Sequence, residues 1–231
     1  MSDGDRLSDL PDDLLLRVLY FTPAREGAST GALSKRWRGL WLSSGVLNLD
    51  ERLAGEDHYT VFFSKRDAFV SAARSSLEAA AAGSPVTRLT FRVGSGRSYG
   101  FKDFLHANID MNMARSARNP DVITELLSNA AARRVEELRL TGGDPDNLEC
   151  LMNEEIQCPT VELPELSFLC LPSDSLRVLD VTSSRGLQSS PGVTFLRLAS
   201  LRLNHCRVIM EHLQDLIHAA PARQYTSSSS W

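Results

Sequence analysis

The chain has 231 residues, of which 42% are hydrophobic and 23% charged, enough to bury a core and to hold one larger domain beside a smaller unit. A formal net charge of -4 gives no basis for a nucleic-acid partner, and no apolar run approaches the roughly 18 residues of a membrane-spanning helix. The acidic, polar N-terminus lacks a basic segment leading into an apolar one, so no secretory signal is expected, and the protein should be soluble in the cytoplasm or nucleus.

The first predicted helix starts at Leu10-Pro11-Asp12-Asp13 and runs to about Thr22. Pro11 suits the first helical position, Asp12 and Asp13 complement the helix dipole, and Pro23 stops it. At about 100° per residue, Leu14, Val18 and Phe21 share one face while Leu15 and Leu19 lie on another. A helix apolar on nearly all sides needs cover nearly all round, and a unit of about 45 residues has little interior to supply it. A partner protein is the natural cover. A further helix is predicted after Ser34, a suitable cap, with Leu33, Trp37, Leu40 and Trp41 on one side.

The Leu-Pro opening and the closing Leu33-Ser34-Lys35-Arg36-Trp37-Arg38 resemble the F-box, a helical module that binds the Skp-type adaptor of SCF ubiquitin ligases. The resemblance covers about Leu7 to Leu42 and is nearest to plant F-box proteins with leucine-rich repeats. It implies that Leu10, Pro11, Leu14, Leu15, Val18, Leu19, Leu33, Trp37 and Trp41 form the adaptor surface and its supporting core, with the first helix as the expected hot spot and Leu15→Asp expected to abolish adaptor binding. The middle departs from the pattern, since Gly27 and Gly31 stand where the family has a better helix, each at a cost of about 1 kcal/mol against alanine. Lys35, Arg36 and Arg38 read as a solvated face.

Beyond the module the pattern alternates between helix and strand. Ser64 and Asp67 form a capping-box-like start, and Phe69, Val70, Ala73, Leu77 and Ala80 a helical stripe that stops at Gly83-Ser84-Pro85. Val86, Leu89 and Phe91 then show the spacing apolar-x-x-apolar-x-apolar. It recurs at Val135, Leu138, Leu140; at Leu176, Leu179, Val181; and at Leu198, Leu201, Leu203, where Cys206 and Val208 complete a leucine-rich-repeat consensus. The units start 49, 41 and 22 residues apart, and only the last interval is of ordinary repeat length. Asp121 to Ala132 reads as the helix before the second such strand, Val161 to Leu171 as a further, poorly matched strand, and Met210 to Ala219 as a final helix. The predicted fold class is α/β: a helical F-box at 1–48, an irregular leucine-rich-repeat solenoid with parallel strands at 49–222, and a disordered polar tail at 223–231.

Catalytic constellations are weak. The glycines of Gly94 to Gly100 miss the phosphate-loop spacing, and Glu154-Glu155 and Asp144-Pro145-Asp146 read as solvated loop acids. His205 and Cys206 are adjacent on a strand and point to opposite faces, and His212 and His218 do not share a helix face. Cys150, Cys158, Cys170 and Cys206 lack Cys-x-x-Cys spacing and are expected as buried thiols in a reducing compartment, so no metal or cofactor is expected. The expectation is a non-catalytic substrate receptor of an SCF-type ubiquitin ligase that joins adaptor and cullin to an unnamed target protein. The alternatives are a non-ligase interaction scaffold, a shortened form that binds adaptor but no substrate, and a thiol hydrolase.

Overall fold

The computed structural model describes residues 9–32, 34–53, 59–95, 122–142, 166–184, 186–220 and 225–227. The chain opens with three short helices, α1 (Asp12–Phe21), α2 (Ala24–Thr30) and α3 (Lys35–Ser43). Pro11 lies one position ahead of the first helical residue, where its carbonyl accepts from the Leu14 and Leu15 amides. Thr22 leaves the helix in an extended conformation, as a residue before proline must. Ser34 caps α3: its Oγ accepts from the Trp37 amide at 3.2 Å. Leu15, Leu19 and Trp37 form a small core of their own, with Leu10, Leu40 and Trp41 packed around it.

The larger part is built on six parallel strands in the order β1-β2-β3-β5-β7-β8. These are β1 (Val46–Leu53), β2 (Arg88–Ser95), β3 (Glu137–Gly142), β5 (Val178–Thr182), β7 (Ser200–Asn204) and β8 (Tyr225–Ser227). The recurring spacing becomes rows across the sheet: Leu47, Leu89, Leu138, Leu179 and Leu201 are in register, and so are Leu49, Phe91, Leu140, Val181 and Leu203. The leading apolar residues Val86, Val135, Leu176 and Leu198 are all buried at the entry to their strands. Helix α4 (Tyr59–Gly83) covers the first rows with Phe69, Ala73, Leu77 and Ala80, and α5 (Val122–Ser128) adds Val122, Ile123, Leu126 and Leu127 to the same core. The Phe69 ring meets Phe91 edge-on at 5.5 Å.

Several elements differ from the sequence reading. Strand β1 begins at Val46, inside the segment read as purely helical; α4 starts more than a turn ahead of Ser64; and α5 gives way to a 3-10 turn at Ala130–Arg134. Within the expected strand at 161–171, only Leu166–Ser167 is extended (β4); it pairs with β6 (Leu187–Gln188) in a separate two-stranded sheet, and residues 161–165 lie outside the described residues. The expectation of a disordered tail is corrected at Tyr225–Ser227, which pairs in parallel with β7 as strand β8. The physical reason is the open edge of β7, whose unpaired backbone groups gain partners from any strand that can lie beside them. Helix α6 (Met210–Ala219) has the expected bounds.

The helical module and the sheet are joined closely. Asn48 on β1 donates its side-chain amide to the carbonyls of both Tyr20 and Thr22 at 3.0 Å, satisfying the C-terminal end of α1. At Gly83 a Cβ would stand 2.7 Å from the Cβ of Leu42 and 2.8 Å from its carbonyl oxygen, so glycine permits the end of α4 to approach α3. Asn48→Ala removes the partners of two carbonyls and is expected to lower stability by about 1–3 kcal/mol, measured by chemical denaturation. An unchanged midpoint and slope would refute this role for the amide.

Candidate functional site

The outward face of α1 is the most conspicuous apolar surface of the helical module. Leu14, Val18 and Phe21 are 45%, 47% and 68% exposed, at successive positions on one side of the helix. Beside them a groove of about 680 Å³ is lined by Leu14, Leu16, Tyr20, Phe21 and Val46, with Asp13 and Arg17 at its edge. Singly exposed leucines are ordinary; a continuous row beside a groove marks an interaction surface.

The candidate adaptor residues therefore divide into two groups. Pro11, Leu14 and Val18 are exposed, and Phe21, absent from the sequence-derived set, extends their row. Leu15, Leu19 and Trp37 are buried together, while Leu10 and Trp41 are half-buried against them. Leu33 lies outside the described residues. Leu15 is fully buried, because the α1 face that meets Trp37 is the Leu15–Leu19 face, and so it belongs to the supporting core of the set.

Two local features secure this arrangement. Arg36 on α3 reaches back to the start of α1, donating to Asp12 Oδ1 from both Nε (2.8 Å) and Nη2 (2.6 Å) and from Nη2 to the Leu10 carbonyl (2.6 Å). Both charged side chains are largely exposed, so the pair orients the helices more than it stabilises them. This separates Arg36 from the plain solvated face read from sequence. Gly27 in α2 is buried with the Trp41 indole directly over it: a Cβ there would lie 2.8 Å from Cδ1 and Nε1. Gly27→Ala is therefore expected to destabilise the module by about 1–3 kcal/mol through overpacking, outweighing the roughly 1 kcal/mol gained in helix propensity. A thermal melt followed by tryptophan fluorescence reads both; a rise in melting temperature would contradict it.

The chemistry-bearing residues of the second half are arranged otherwise. The Cys206 thiol lies 3.4 Å from the Val181 carbonyl and 3.3 Å from that of Asn204, and burial pushes its pKa up, which disfavours the thiolate a nucleophile needs. His205 is exposed in the left-handed region (φ 51°), and Cys170 is buried; neither Cys170 nor Cys206 is in a disulfide. His212 Nδ1 lies 2.7 Å from Ser189 Oγ. Among the described residues no three His, Cys, Asp or Glu side chains gather as a metal site would require, and no helix is long and apolar enough to cross a membrane. Cys150, Cys158, Gly96 to Gly100, the acids at 144–146 and Glu154-Glu155 lie outside the described residues.

Comparison with known proteins bears on the helical module first. Residues 7–49 match the F-box domain family. An F-box/FBD/LRR-repeat protein of Arabidopsis thaliana is 40% identical over 73 residues, 32% of this chain and 16% of that protein. A putative F-box/LRR-repeat protein of the same plant is 49% identical over 57 residues (24% and 13%), and a putative FBD-associated F-box protein is 55% identical over 49 residues (21% and 27%). The chain thus matches only a minor part of these relatives' length. No solved structure matches.

Proposed function

We propose that this chain, which carries an F-box domain at residues 7–49 and is related to plant F-box/leucine-rich-repeat proteins, is a substrate-recognition subunit of an SCF-type ubiquitin ligase. F-box domains generally bind Skp-type adaptors, and proteins of this kind are generally non-catalytic. The observation that carries the reading is the unburied row Leu14, Val18 and Phe21 on a helix whose Leu15–Leu19 face is already packed. Such a row gains about 25 cal/mol for each Å² of apolar surface removed from water.

The parallel sheet would serve as the target-holding part, stacked as an irregular leucine-rich-repeat solenoid. Beyond the joint, the face away from α4 and α5 carries Arg139, Asp180 and Arg202 in one cross-strand row, suited to a polar or charged protein surface. The chain would do no bond chemistry of its own. By holding target and cullin-bound conjugating enzyme together, it would make ubiquitin transfer quasi-intramolecular.

The test mixes purified full-length chain with a purified Skp-type adaptor and follows co-elution and binding heat, then adds the cullin. The expected result is a one-to-one adaptor complex that recruits cullin. A folded chain that forms no complex would overturn the reading and leave a non-ligase scaffold in its place.

A further inference from the structure

Where the helical module meets the sheet, the structure buries a positive charge with two nitrogens that find no hydrogen-bond partner among the described residues. Strand alternation sends Arg88, Thr90 and Arg92 of β2 and Glu137 and Arg139 of β3 to the face opposite α4 and α5. Arg88 is only 8% exposed, yet its Nε and Nη1, and Oγ1 of Thr90, are buried without a hydrogen-bond partner among the described residues. Glu137 does not supply one. Its Oε1 is 3.8 Å from Arg88 Nε and already accepts from Arg139 Nε at 2.7 Å and Nη2 at 2.6 Å. The Tyr20 ring lies over the Arg88 guanidinium, 3.7 Å from Cζ to ring centroid. Burial lowers the Arg88 pKa, Glu137 raises it and Arg139 lowers it, the balance expected of an under-compensated cation.

These residues line a recess of about 130 Å³, walled by Tyr20, Asn48, Arg88, Thr90, Arg92 and Arg139. Asp50 stands at its edge, 3.9 Å from Arg92. Among the described residues, the three guanidiniums form ion pairs with only two carboxylates, Asp50 and Glu137. Buried donors are rarely left unmet in folded proteins, and an array of them beside a recess calls for an acceptor from outside.

We propose that this recess binds a single phosphate-type oxoanion, with Arg88 and Thr90 donating from beneath and Arg92 and Arg139 from the side. A carboxylate is planar and is satisfied by one guanidinium fork, whereas these donors come from two strands and suit a tetrahedral acceptor. The volume admits a single oxoanion. Tyr20 closes Arg88 Nε and Nη1 from water, so its side chain moves aside as the anion enters. The assignment rests on the sheet and the joint alone, whatever α1 binds.

Titrating inorganic phosphate into the full-length chain at constant ionic strength, by calorimetry and thermal melting, tests it. The expected result is saturable binding and a raised melting temperature, reproduced by sulfate and not by chloride. Arg88→Met and Arg139→Gln should each weaken binding about tenfold or more, the loss expected for one charge-assisted contact. Arg139→Gln alters a partly exposed side chain, so its fold is secure even where that of Arg88→Met is not. A phosphoserine peptide that binds much more tightly than glycerol phosphate would assign the anion to a protein partner; equal binding would assign it to a small phosphate ester. Absence of saturable binding by the folded wild-type chain, or unchanged binding by both variants, overturns the proposal. The adaptor complex is measured in parallel, so failure here is separable from failure there.

Discussion

Val18→Asp is expected to abolish association with a Skp-type adaptor while leaving the chain folded. Val18 is 47% exposed in the middle of the row formed by Leu14 and Phe21, so the free protein places the new carboxylate in water. The helix loses only about 0.5 kcal/mol or less in propensity. In the complex the same carboxylate would be pressed into an apolar contact without a partner, at a cost of several kcal/mol. A loss of affinity of about a hundredfold or more follows from that difference. Calorimetry against the adaptor reads the affinity, and a circular-dichroism melt shows that the fold is retained. Normal binding by this variant would remove the α1 row from the interface.

Leu15→Asp, three residues away, is expected to fail for the opposite reason. Leu15 is fully buried against Leu19 and Trp37, the three forming a small buried core among the described residues. Removing the leucine volume alone costs about 2–5 kcal/mol, and a carboxylate in its place must be either protonated or hydrated by opening the module. So small a core has little in reserve. The prediction is a red-shifted tryptophan emission from Trp37 and Trp41, reduced helix content and loss of adaptor binding together. Because folding and binding fall together, Leu15 cannot identify the interface by itself. A Leu15→Asp chain with native emission and melting temperature would show that the module tolerates what its packing forbids.

These two neighbouring positions show how far the sequence could be read. Helical periodicity separated the Leu14, Val18 and Phe21 face from the Leu15 and Leu19 face, but both are apolar, and nothing in the pattern says which faces Trp37. Tertiary packing decided that. The four recurring spacings were legible because each begins with a buried anchor, Val86, Val135, Leu176 or Leu198, before its strand. Strand β1 escaped because the equivalent position holds Ser44, although Leu47 and Leu49 then fall in register with Leu89 and Phe91. Gly27 looked like a helix defect, and it is the space into which an indole packs. Arg88 gave no signal beyond its alternation with Leu89 and Phe91, since charged residues on the outer face of a strand are ordinary and only the burial under Tyr20 sets this one apart.

A joint pinned by Asn48 between α1 and the sheet and closed tightly at Gly83 between α4 and α3 leaves little play between the helical module and the rest. A floppy tether would sweep a bound target through a sphere and offer many of its lysines in turn. A stiff one presents a single bearing, and acceptor lysines would be chosen by where they lie on the target's surface as well as by what the sheet recognises. Selectivity would then reside partly in an angle, set by one asparagine side chain that touches neither partner.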